Sequence, residues 1–127
     1  MTFRHIYLLA ALAGLPLAAA GYGAKPSDTA PAPAAFANCA ACHTVKPNGS
    51  HGVGPNLWGL AGRKAGTAPG FNYSNALRSS GIYWTRAEVD VYLRSPSKRV
   101  PGTTMHYAGL SDPKAREGVI RYLFKLN

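Results

Sequence analysis

Residues 39–43 read Cys-Ala-Ala-Cys-His, and this C-x-x-C-H run constrains the chain more than any other part of it. The two thiols are three positions apart and the imidazole is four from the first, so on one helical turn all three share a face. Thiols so spaced can add to the two vinyl groups on one edge of a haem while the imidazole reaches the iron, which makes the run a c-type haem attachment motif. Other uses of the spacing lack their partners. A redox dithiol needs a βαβ setting, and the chain shows no strand pattern of any length. A zinc site needs a second cysteine pair or paired histidines, yet Cys39 and Cys42 are the only cysteines. A disulfide across two intervening residues would be strained and would close a trivial loop. A covalent haem with one ligand already supplied points to electron transfer.

The N-terminus supplies the compartment. Residues 1–20 have the form of a signal peptide: Arg4 and His5, an apolar stretch from Ile6 to Leu17, then Ala18-Ala19-Ala20 as small residues for cleavage. The apolar stretch is shorter than the roughly 20 residues of a membrane span, so a cleaved signal is expected over an uncleaved anchor. The chain has fourteen basic and five acidic residues; losing Arg4 leaves thirteen against five, a net charge of +8. That charge suits an anionic partner or transient contact with a membrane surface. Nucleic acid is not expected, because the basic residues are scattered and the chain is exported.

Residues 21–33, with Gly21, Gly23, Pro26, Pro31 and Pro33, read as a flexible lead, and 34–127 as one domain. Pro31 and Pro33 suit the first turn of a short helix that carries Phe36 and delivers Cys39. Seven glycines and three prolines punctuate residues 44–70, a loop long enough to need a function; wrapping a haem is one. Ser74 is placed to cap a short helix ending near Gly81. Thr85 and Glu88 form a capping box for a helix with Val89, Tyr92 and Leu93 on one face, stopped by Pro96. A second loop then runs to Gly109. Asp112 and Pro113 open the last helix, with Val119, Ile120 and Leu123 as its buried stripe. The expected fold is all-α: three to five helices and long loops around one covalently bound haem.

The iron needs a decision about its sixth position. Met1 is the initiator, so Met105 stands alone in the mature chain. It lies in a loop bearing Pro101 and Gly102, away from any helical apolar stripe. Its thioether is a soft ligand that favours the reduced iron, and two strong ligands leave no open position for oxygen or peroxide. His51 is too near His43 in sequence to reach the other face and is expected to make a loop hydrogen bond; His106 is read as surface. A haem peroxidase, a gas-binding protein, a subunit of a periplasmic dehydrogenase and a membrane-tethered carrier are the rival readings.

With these residues placed, the chain from about residue 36 onward resembles the class I c-type cytochromes of the mitochondrial and α-proteobacterial soluble type. The matching segments are Cys39 to Val45, Gly54-Pro55-Asn56-Leu57, Gly62 to Gly66, Gly70 to Ser74, Trp84-Thr85, Tyr92-Leu93, and Pro101-Gly102-Thr103 with Met105. The resemblance implies a cytochrome c fold with one haem c and a monomeric electron carrier rather than an enzyme. It also implies a donor of the quinol-oxidising bc type and an oxidase, reaction centre or peroxidase as acceptor, in the periplasm. It gives His43 and Met105 to the iron and the carbonyl of Pro55 to the free ring nitrogen of His43. Arg63, Tyr73 and Trp84 go to the haem propionates, Tyr92 to the Met105 sulfur, and Thr103 to closing the crevice. Phe36 and Tyr122 mark the crossing of the first and last helices.

Three departures from the family pattern stand out. Ala32 replaces the glycine often found at the helix crossing. Leu77 stands where many members carry an asparagine, which leaves a drier haem wall. Asn38, Gly52, Ser97, Thr104 and Ser111 occupy positions of the usual lysine ring, with Lys98 remaining. The charge is then expected on Arg78, Arg86, Arg94, Arg99, Arg116 and Arg121, and docking is expected to depend less on salt.

Overall fold

The computed structural model describes residues 31–126; the expected signal at 1–20 and most of the lead at 21–33 lie outside the described residues. Polar caps and prolines decide where the helices begin. A 3-10 turn at Ala34–Phe36 continues into the one-turn helix α1, Ala37–Ala40. Helix α2, Asn75–Arg78, starts where the Ser74 side chain accepts a hydrogen bond from the Leu77 amide. Helix α3, Arg86–Arg94, starts where Thr85 accepts from the Glu88 amide. Helix α4 is Pro96–Arg99. Helix α5, Pro113–Leu123, has Asp112 accepting from the Lys114 amide and Pro113 in its first turn. The fold is thus the expected small all-α one: among the described residues there are five helices, no strand, and one isolated bridge between Lys64 and Tyr83.

Several boundaries differ from expectation for local reasons. Pro33 sits outside the first helical segment, with extended backbone at its N-cap, so neither Pro31 nor Pro33 enters a helical turn. Ala32 is exposed and likewise outside. The close approach to the last helix occurs instead at Gly118, where an added Cβ would lie 3.8 Å from Pro33, and at the edge-to-face pair of Phe36 and Tyr122, 4.8 Å between centroids. Helix α2 ends at Arg78 rather than near Gly81. Pro96 stops α3 but also starts α4, because a proline lacks only an amide that the first turn leaves unused; the second loop therefore begins at Val100. The Glu88 carboxylate does not close a capping box. It takes two hydrogen bonds from Arg99, both 3.0 Å, tying α4 to α3, and those bonds hold it below the usual carboxylate range.

The core lies between α3 and α5. Val119, Ile120 and Leu123 are buried on α5, as their helical spacing predicts, and they meet Val89 and Leu93 from α3. Arg116 occupies the next position of the same stripe and is also buried. Five of the six arginines expected to carry the charge have acidic partners: Arg94 and Arg116 pair with Asp90, Arg99 with Glu88, and Arg86 and Arg121 with Glu117, so three carboxylates offset part of that charge. Of the six arginines, Arg78 makes no ion pair among these; it caps carbonyl and amide groups at Asn72, Tyr73 and Asn75.

Candidate haem site

The attachment motif is a single tight turn. The amides of Cys42 and His43 both donate to the Cys39 carbonyl, at 3.1 and 2.9 Å, so the two sulfurs and the imidazole leave one local unit. Cys42 is exposed and Cys39 half-buried. Burial pushes the Cys39 thiol up.

The loop after the motif folds back over its own histidine. Gly54 donates its amide to the Cys42 carbonyl at 2.9 Å, and a Cβ on Gly54 would lie 2.3 Å from His43 Cε1. His43 Nδ1 is 2.7 Å from the Pro55 carbonyl oxygen. A carbonyl can only accept, so Nδ1 carries the hydrogen and the lone pair is on Nε2, the nitrogen a metal would use. Burial lowers the His43 pKa, opposed by the Pro55 bond, which favours the neutral, ligating form. Gly54→Ala drives a methyl into the ring. It is expected to destabilise the holoprotein by about 1–3 kcal/mol, the usual cost of overpacking, as measured by denaturant unfolding; an unchanged midpoint would show that the ring and loop can move apart freely.

Asn56 and His51 staple this loop. The Asn56 side chain donates to Lys46 and Gly49 and accepts from the Trp58 amide, while its own amide donates to His51 Nδ1 at 2.9 Å. His51 Nε2 then donates to the Pro69 carbonyl at 2.8 Å. Both nitrogens of His51 are thus used within the loop. Asn56 has no role assigned from the sequence; its signal is an amide set directly between Gly54-Pro55 and the apolar Leu57-Trp58.

A cavity of about 250 Å³ opens beside the motif, lined by Cys39, Cys42 and His43, by Pro55, Arg63, Tyr73, Trp84 and Tyr92, and by Thr103 and Met105. It gathers into one space all the residues singled out from the sequence for haem and iron. Backbone pairing sets part of it: the Trp84 amide donates to the Arg63 carbonyl and the Gly62 amide to the Trp84 carbonyl, both at 2.9 Å, which brings residues 62–63 and 84 together. The Arg63 guanidinium donates to the Trp58 carbonyl at 3.0 Å and reaches toward that of Asn56 at 3.4 Å. Burial raises the pKa values of Tyr73 and Tyr92, so both phenols stay neutral hydrogen-bond donors. Tyr92 packs edge-to-face on Trp84, 5.0 Å between centroids. Its hydroxyl lies 3.2 Å from Thr103 Oγ1, which also accepts the Met105 amide at 3.3 Å; the link expected between Tyr92 and the Met105 sulfur runs here to the threonine beside it. His106 is exposed at the cavity rim.

The donor set suits a covalent haem. Two thiols and an imidazole with a free Nε2 stand together, a soft thioether lines the same space, and Leu60, Leu77, Val89, Leu93, Val119 and Leu123 supply an apolar wall. Arginine and tyrosine in that wall match the two carboxylates of a haem. Among the described residues, no cluster of three His, Cys, Asp or Glu side chains offers an alternative metal centre.

The cytochrome c family model matches residues 30–126. Cytochrome c2 of Rhodoblastus acidophilus is 47% identical over 88 residues, 69% of this chain and 82% of that protein. Cytochrome c of Trypanosoma brucei brucei is 55% identical over 75 residues, 59% of this chain and 81% of that one. Among solved structures, cytochrome cH from Methylobacterium extorquens superposes with a TM-score of 0.65 at 47% identity, covering 71% of this chain and 90% of its own.

Proposed function

The chain belongs to the cytochrome c family, whose members carry one covalently attached haem c and are electron carriers rather than enzymes, and on that premise we propose an exported periplasmic carrier in which His43 and Met105 would hold the iron. Bound haem supplies a one-electron ferric/ferrous couple. Cys39 and Cys42 would hold it through their sulfurs. His43, its ring fixed by Pro55, presents Nε2. Met105 favours the reduced iron through its soft sulfur. Arg63, Tyr73 and Trp84 offset the propionates, and the aliphatic wall excludes water. The observation that carries this reading is that His43 and Met105 line one cavity with both thiols. A red-region sulfur-to-iron charge-transfer band in the oxidised protein tests it; a spectrum without that band rejects Met105 as ligand.

The donor in this reading is a membrane quinol-oxidising complex of the bc type, and the acceptor an oxidase, a reaction centre or a peroxidase. The N-terminal signal pattern supports export, and among the described residues no helix is long and apolar enough to cross a membrane. The exposed cavity-lining residues are Asn38, Cys42, Val53, Thr104 and His106. None is a lysine or arginine, and Val53 is 83% exposed. Docking at this rim therefore does not rest on a focused cationic ring. Electron-transfer rates with a purified bc-type complex are expected to fall less than about tenfold between low and physiological ionic strength; a steeper fall would restore electrostatic docking.

A further inference from the structure

We propose that Arg116 is a positioning residue for the loop that carries Met105: braced by Asp90, it buckles the far end of that loop onto α3 and α5 and so sets how readily Met105 leaves the cavity. The inference rests on the Met105 assignment for its meaning, but the clamp stands on its own contacts.

Arg116 takes a position on α5 that the helical stripe would give to an aliphatic residue, and its side chain is only 5% exposed. Its bonds point at two targets. Nε donates to Asp90 Oδ1 at 2.7 Å, and Nη1 donates to the carbonyls of Leu110 and Ser111 at 2.8 and 2.9 Å. The same stretch is fastened from α3. The Leu110 amide donates to the Leu93 carbonyl at 2.8 Å, and Gly109, at φ +111°, lies so close that a Cβ there would be 2.2 Å from the Arg94 carbonyl oxygen. The near end is held by Thr103, whose amide donates to Val100 at 3.1 Å and whose hydroxyl takes the Met105 amide. Met105 thus hangs between two fastenings, and the far one depends on a planar guanidinium that spans a carboxylate and two carbonyls at once. A lysine has no such fork.

Local opening of a segment costs less than global unfolding and depends on the bonds that close it. A competing ligand that needs Met105 to move away binds with an affinity scaled by the open fraction. Imidazole added to the ferric holoprotein reads that fraction. Asp90→Asn and Arg116→Lys are each expected to tighten imidazole binding about tenfold. Arg94→Ala, which removes the other partner of Asp90 but no side-chain contact to the loop, should change it less than about twofold. Ile120→Val lowers global stability from the core and should leave imidazole affinity near wild type. Equal tightening in Arg94→Ala or in Ile120→Val would overturn the clamp, since the effect would then be one of charge or of general stability. Wild-type protein without the sulfur-to-iron band would defeat the Met105 assignment instead. Amide exchange at Tyr107 and Leu110 then decides the clamp: faster exchange in Asp90→Asn than in Arg94→Ala upholds it, and equal exchange overturns it.

Discussion

Serine at both Cys39 and Cys42, which abolishes covalent haem attachment, is expected to yield a chain with the far-UV signal of an unfolded protein and no cooperative thermal transition. The cavity those cysteines line is about 250 Å³. Left empty, it costs ~6 kcal/mol at ~24 cal/mol per Å³, against a total stability of about 5–15 kcal/mol for an ordinary domain. Local structure cannot make up the difference. Helices α1, α2 and α4 are single turns, and even α5 has only eleven residues, below the roughly 12–15 at which isolated helices become marginal in water. The residues from Thr44 to Gly70 contain no helix at all, and Leu57 and Leu60 there face the cavity. A sigmoidal melt with native-like helix content in the double variant would show that the protein core suffices alone.

Met105→Ala is expected to erase the sulfur-to-iron band of the oxidised protein and to lower the reduction potential by on the order of 0.2 V, part of the roughly 0.8 V that axial ligation can span. A thioether stabilises the ferrous state, and water or an added anion in its place favours the ferric one. His51 does not replace it without rebuilding its own loop, since it holds the Asn56 amide and the Pro69 carbonyl. The Thr103 hydroxyl bond to the residue 105 amide is to the backbone, so alanine there leaves the fastening in place and the change reads the sulfur alone. An unaltered band and potential would remove Met105 from the iron.

Much of this protein was legible in its sequence because its signals are local. Ser74, Thr85 and Asp112 cap helices where their short oxygen-bearing side chains stand before a helical run, and Pro113 opens α5. The C-x-x-C-H run and Met105 were singled out from the residues themselves and the rest of the cavity lining through the resemblance, and the fold brings both sets to one space. Depth was harder to read. Arg116 continues the spacing of Val119, Ile120 and Leu123, yet its charge argued for the surface; only the Asp90 carboxylate on another helix and two loop carbonyls make its burial tolerable. Pro96 carries two opposite meanings, and sequence favours the stop over the start. The pairing of five of the six arginines was not legible, because their acidic partners, two of them on α3 and one on α5, are brought to them largely by the fold. Gly54 read as loop punctuation, while its lack of a side chain in fact leaves room for the His43 ring.

The turn from Cys39 to His43 has a consequence for the order of assembly. Its closing bonds span at most four residues, so it needs no distant partner to form, whereas the Asn56 and His51 staples and the Arg116 clamp all await contacts from elsewhere in the chain. A chain not yet folded elsewhere can therefore bring both thiols and the imidazole to one haem by local movement alone. The turn asks nothing of the rest of the fold, whereas the contacts that close the cavity ask for nearly all of it.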